Sequence, residues 1–142
     1  MSCDFGVWYP HERLGSRRAG ELYVRLCEGD ASGVRPHPAV NAFYAELTAR
    51  HPEIDDIPED RIDDTDFCPW SCAIDRSPGH VVLSCAWSRA DHVRSLVLEL
   101  ARKHGLAVYD PQAGAITYPD GAAPETGRRK RDGQGVPLPE SR

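Results

Sequence analysis

The stretch from Val81 to Pro111 constrains this chain more than any other. It reads Val-Val-Leu-Ser-Cys-Ala-Trp, then Ser-Arg-Ala-Asp, then an amphipathic run, then His-Gly-Leu-Ala-Val-Tyr-Asp-Pro. The pattern predicts strand, helix, strand. Ser88 is the expected N-cap, with Asp91 reaching back to its N–H and suiting the positive end of the helix dipole. Val93, Leu96, Val97, Leu100 and Ala101 recur on one helical face. Lys103 and His104 suit the exposed carbonyls of the last turn, and Gly105 can take the left-handed conformation that ends a helix. Burying the four larger side chains is worth about 6–12 kcal/mol before entropy is subtracted, so the helix needs a sheet to lie on.

The rest of the chain supplies that sheet. Cys3 to Tyr9 alternates like a strand. Ser16 is the expected N-cap of a helix carrying Ala19, Leu22, Tyr23, Leu26 and Cys27, which Gly29 stops. Gly20 weakens that helix by up to about 1 kcal/mol. Pro38 opens a second helix with Val40, Phe43, Tyr44 and Leu47 inward and Asn41 and Glu46 toward water. Trp70, Cys72 and Ile74 alternate as a second strand, Arg76 to Gly79 turns, and His80 to Trp87 returns as a third. Leu106 to Asp110 is a fourth strand and Ala115 to Tyr118 a short fifth. Right-handed crossovers then imply an α+β fold: a two-layer ferredoxin-like sandwich, its antiparallel sheet covered by helices on one face and open on the other. Residues 1–119 read as a single domain with an acidic loop at 52–69, and residues 120–142, rich in Gly, Pro and charge, as a disordered basic tail.

Charge is unevenly shared. The net charge is −5. From Gly121 onward, Arg128, Arg129, Lys130, Arg131 and Arg142 outnumber Glu125, Asp132 and Glu140, so the remainder carries about −7. An acidic body disfavours nucleic acid and favours a basic protein partner. No apolar run approaches the roughly 20 residues of a membrane span. The start, Met1-Ser2-Cys3-Asp4, lacks a signal-peptide pattern, which predicts a cytoplasmic protein. Five scattered cysteines read as reduced, structural thiols.

Four segments taken together carry a resemblance: Asp4-Phe5-Gly6-Val7-Trp8, Pro69-Trp70-Ser71, Ala86-Trp87-Ser88-Arg89-Ala90-Asp91, and His104 through Gln112. As D-F-x-V-W, W-S-x-A-D and H-G-L-x-x-Y-D-P-Q motifs they are similar to a group of small bacterial proteins of actinobacterial type. The likeness spans roughly Ser2 to Ile116. It implies an immunity-like role, binding and blocking a toxin, and transfers no catalytic residue.

The residues themselves name no reaction. Cys68 and Cys72 have the wrong spacing for a Cys-x-x-Cys pair, and Cys72 is expected to point inward on its strand. His92 and His104 lie about three turns apart on one helix, too far to share a metal. Ser84 has no elbow glycines. Asp4, Asp75 and Asp110 could meet near strand ends, though solvation at the sheet edge explains them equally. No phosphate loop is present. No catalytic residue, metal or cofactor is assigned.

Two surfaces are candidates for partner binding. One is the acidic loop, with Asp55, Asp56, Glu59, Asp60, Asp63 and Asp64 at its centre. The other is the open sheet face, where Trp8 and Trp87 would form an aromatic patch. The resulting expectation is a non-enzymatic protein-binding module, an immunity protein neutralising a basic toxin. The alternative is a small-molecule-binding or regulatory ferredoxin-like domain, with a homodimer interface as a further option.

Overall fold

The computed structural model describes residues 2–61 and 63–120, so the tail expected at 120–142 lies outside the described residues apart from Asp120. Ser2–Trp8 (β1) is the central strand of an open, five-stranded antiparallel sheet. Ser16–Cys27 (α1) and Pro38–Arg50 (α2) follow, then the hairpin of Asp75–Ser77 (β2) and His80–Ala86 (β3). Ala90–His104 (α3), Ala107–Asp110 (β4) and Ala115–Thr117 (β5) complete the order. Across the sheet the strands run β2-β3-β1-β4-β5. β1 pairs along its whole length with β3, from Ser2 opposite Ala86 to Trp8 opposite His80.

α3 buries Val93, Leu96, Val97, Leu100 and Ala101, and Gly105 ends it at φ +73°. Its start differs from expectation. Trp87–Arg89 winds as one tight 3-10 turn before Ala90, Arg89 is the cap, and Ser88 makes no capping bond. The tighter turn supplies backbone partners itself, so the N–H of Ala90 reaches Trp87 O without a hydroxyl. Asp91 pairs with Arg94 at 3.2 Å instead of reaching back. Likewise α1 is capped by Gly15, with Ser16 already inside the helix. On α2, His37 is the cap: its Nδ1 accepts the N–H of Ala39 at 3.1 Å.

The second strand is displaced relative to the sequence reading. Trp70 only bridges Cys85, and the paired segment is Asp75–Ser77. The cause is the hairpin loop, which is two residues, Pro78 and Gly79, rather than four. Ser77 Oγ accepts the Gly79 N–H at 3.1 Å and lies 2.6 Å from His80 Nδ1, so the turn closes early and Arg76 and Ser77 join the ladder. Cys72 is consequently exposed rather than inward.

The helices do not share one face. Cys3, Phe5 and Val7 point toward α2 and α3, packing with Phe43, Leu47, Val97 and Leu100. Trp8, on the opposite side of β1, packs with Ala19, Leu22 and Leu26 of α1 and with Ala107, Tyr109 and Ile116. The sheet therefore lies between two helices on one side and one on the other, which corrects the two-layer expectation. Two glycines admit α1 to this face. A Cβ on Gly6 would stand 2.8 Å from the Tyr23 ring, and one on Gly20 would stand 2.8 Å from the Tyr109 hydroxyl. No described helix is long and apolar enough to cross a membrane.

Candidate functional site

The acidic segment between α2 and β2 is a framed loop. Glu53 joins its start to α2 and β2, accepting the Tyr44 hydroxyl at 2.6 Å and the Ile74 N–H at 3.1 Å. His51 closes the base. It is 8 % exposed, its Nδ1 donates to Phe67 O at 3.0 Å, and its own carbonyl accepts Trp70 Nε1–H at 2.9 Å. Cys68 Sγ donates across to Pro52 O at 3.6 Å. Within the frame, Ile54–Asp56 and Glu59–Arg61 each form a single 3-10 turn.

The carboxylates divide into two groups. Glu53, Asp64 and Asp66 are structural. Asp64 takes Arg61 at 2.9 Å and the N–H groups of Asp66 and Phe67, and Arg61 followed by the Phe67 N–H holds its carboxyl below the ordinary aspartate value. Asp66 pairs with Arg89 at 3.2 Å. Asp55, Asp56, Glu59, Asp60 and Asp63 are exposed, and their carboxylates make no hydrogen bond or ion pair among the described residues. Of the six loop carboxylates expected to bind, Asp64 is thus engaged in the turn and five remain presented.

The two tryptophans part company. Trp8 is 1 % exposed beneath α1 and belongs to the core, which removes it from any binding surface. Trp87 is 53 % exposed. Its neighbours are tied to the acidic segment: the Ala86 backbone N–H donates to Pro69 O at 2.7 Å, and the Arg89 side chain pairs with Asp66 at 3.2 Å. A large aromatic is thereby carried at the end of the carboxylate-bearing loop.

Beside this surface lies a pair invisible in the sequence, buried His51 meeting exposed His92. His51 Nε2 and His92 Nε2 are 3.0 Å apart. Because His51 Nδ1 faces a carbonyl it carries a proton, so in the neutral pair His51 Nε2 accepts and His92 donates. Burial, then the charge on Arg89, holds the His92 imidazole below its ordinary value. One proton can be shared across the contact, but two cationic rings would repel. Among the described residues no three His, Cys, Asp or Glu converge as a metal site. His104 instead donates to Glu46 at 2.9 Å, beside Lys103, joining α3 to α2.

The three aspartates considered at strand ends do not meet. Asp4 accepts the Ser84 hydroxyl at 2.6 Å, Asp110 stands 3.4 Å from Arg94, and Asp75 faces His80 Nε2 at 3.5 Å. Ser77, His80 and Asp75 do follow the order hydroxyl, imidazole, carboxylate. The Ser77 oxygen, however, is the acceptor that closes the hairpin turn, and Asp75 lies beyond a normal hydrogen-bond length. The trio is a turn lock.

A groove of about 600 Å³ runs between the first turns of α2 and the β2–β3 hairpin. Its walls are tied together by the His37 N–H donating to Pro78 O at 3.1 Å and by Tyr9 stacked on His37 at 3.8 Å. Arg76 lies over the Tyr44 ring at 3.9 Å along one side. No protein-family model, curated protein or solved structure matches this chain.

Proposed function

We propose that this chain is a non-enzymatic protein-binding module that acts in the cytoplasm and neutralises a basic partner, in the manner of an immunity protein on a toxin. The observation that carries the reading is exposed Trp87 held at the end of a framed loop bearing Asp55, Asp56, Glu59, Asp60 and Asp63 without compensating cations among the described residues. Uncompensated charge steers encounter, and a fixed aromatic supplies the apolar anchor that charge lacks. Cysteines that are all free support a reducing compartment. The strand order β2-β3-β1-β4, with α2 and α3 on one face, supports a ferredoxin-like core to which α1 and β5 are additions.

The test is association with the native partner, captured from the host, measured against ionic strength. Replacing the four aspartates by Asn and Glu59 by Gln is expected to slow association several-fold at low salt. The two proteins should converge near 1 M, where the Debye length is about 3 Å. Trp87→Ala is expected to raise the dissociation rate about tenfold. Coincident salt curves would reduce the loop to a solvated surface and remove the reading.

A second reading, a small-molecule-binding or regulatory domain, is favoured by one feature, the groove beside α2. Its volume falls within the range of about 300–1,000 Å³ typical of ligand sites.

A further inference from the structure

The groove's polar atoms are unequally committed. Arg76 is exposed and stacked on Tyr44, it approaches the Tyr44 hydroxyl, and its bond from Nη1 to Asn41 Oδ1 is long at 3.4 Å. It has no carboxylate partner among the described residues. Asp75, its neighbour in sequence, alternates to the other side of the sheet and faces His80. The guanidinium fork is therefore held flat by stacking, with its charge and most of its N–H groups available, the arrangement that suits a carboxylate.

The remaining free atoms are donors as well. His37 Nδ1 accepts from Ala39, which places the neutral ring's proton on Nε2. Asn41 Oδ1 accepts from Arg76, leaving its amide N–H groups. Of the side-chain acceptors, Ser77 Oγ takes the Gly79 N–H, and the Tyr44 hydroxyl gives its proton to Glu53 while its oxygen faces the Arg76 guanidinium. The positive end of α2 adds to the same sign. Between these donors, Val40, Val81, Pro38 and Pro78 offer apolar contact. One cation, an excess of donors and apolar walls select a monoanion with an apolar body. A polyanion would meet the field of a body carrying about −7.

We propose that the groove between α2 and the β2–β3 hairpin binds a small monocarboxylate with an apolar or aromatic body, its carboxylate on Arg76. The proposal rests on the second reading above and adds the ligand class. The walls are preformed: the His37–Pro78 bond and the contact of Gly79 with the Arg35 carbonyl, 2.7 Å from where a Cβ would sit, leave little to order on binding.

The test is calorimetric titration of the full chain with phenylacetate, indole-3-acetate and octanoate, and with the primary amide of each. Arg76→Gln and Asn41→Trp are compared with the parent. Both positions are exposed, and thermal melts verify that both variants fold. The expected result is at least one acid binding with Kd below about 1 mM. Its amide, and the acid on Arg76→Gln, should bind about tenfold or more weakly, as loss of a charged hydrogen bond implies. Asn41→Trp, which fills the groove, should abolish binding. Acids and amides binding alike, with Arg76→Gln neutral, would overturn the carboxylate assignment while leaving a small-molecule groove. No binding by any probe at about 10 mM, roughly tenfold above the limit of about 1 mM, would overturn both.

Discussion

At the scale of single residues, Trp8 and Trp87 show how little residue type says about role. Both are expected on a surface, yet one is sealed between β1 and α1 and the other is half exposed. Trp8→Ala is expected to cost about 3–5 kcal/mol in denaturant melts, the range for emptying a large aromatic site. Trp87→Ala should cost under about 1 kcal/mol. Comparable losses would mean Trp87 is also a core residue. His92 sets a pH dependence of definite sign. Its folded value lies below the ordinary 6.5, so the unfolded chain takes up the proton first as pH falls. The associated stability is present above about pH 7 and is lost progressively as pH drops through the unfolded value toward the folded one. Melting temperature should therefore decline as pH falls below about 7, and His92→Gln should flatten part of that slope. Identical slopes in the two proteins would show that the His51–His92 contact does not control protonation.

At the scale of elements, the two ends of α3 behave differently. Gly105 at φ +73° occupies a conformation that costs an L side chain roughly 1–2 kcal/mol, so Gly105→Ala should destabilise by about that amount. Ser88 lies inside the 3-10 turn and caps nothing. Ser88→Ala should stay within about 0.5 kcal/mol, where a true N-cap would cost about 1. A loss for Ser88→Ala as large as that for Gly105→Ala would restore the hydroxyl as a cap. The β2–β3 hairpin depends on its side-chain lock in the same local way, through Ser77, Gly79 and His80.

At the scale of the whole molecule, the five carboxylates that stand unpaired among the described residues repel one another and add to the excess negative charge of the body. Neutralising Asp55, Asp56, Glu59, Asp60 and Asp63 should raise the melting temperature at low ionic strength, an advantage that shrinks in about 1 M salt. A stability cost carried by presented charge is expected of a surface kept for recognition. No rise at low salt would mean that the segment's charges are already compensated. Two separate apolar clusters, one on each side of β1, hold the layers together, so changes on α1 and on α3 should combine nearly additively.

The sequence by itself determined what depends on neighbours a few residues apart. The buried stripe of α3, its glycine stop, Ala19, Leu22 and Leu26 of α1, Val40, Phe43 and Leu47 of α2 and the alternation of β1 and β3 follow from helix and strand periods, whereas Cys27, expected on the α1 stripe, is exposed at the last turn. The positions of the presented carboxylates follow too, since a polar run so dense in acid has little to bury. Tertiary structure decided the rest. An amphipathic helix shows the same stripe whichever side of a sheet it covers. The side taken by α1 was hinted at only by Trp8 lying opposite Phe5 and Val7, a sign that both faces are buried, and by glycines at 6 and 20. The register of β2 hung on a side-chain bond across a two-residue loop. His51 and His92, 41 residues apart, and the donors gathered around Arg76 meet only because α2 packs beside α3 and the β2–β3 hairpin. Such meetings leave no periodic trace in the chain, because what brings the groups together is the packing of other residues between and around them.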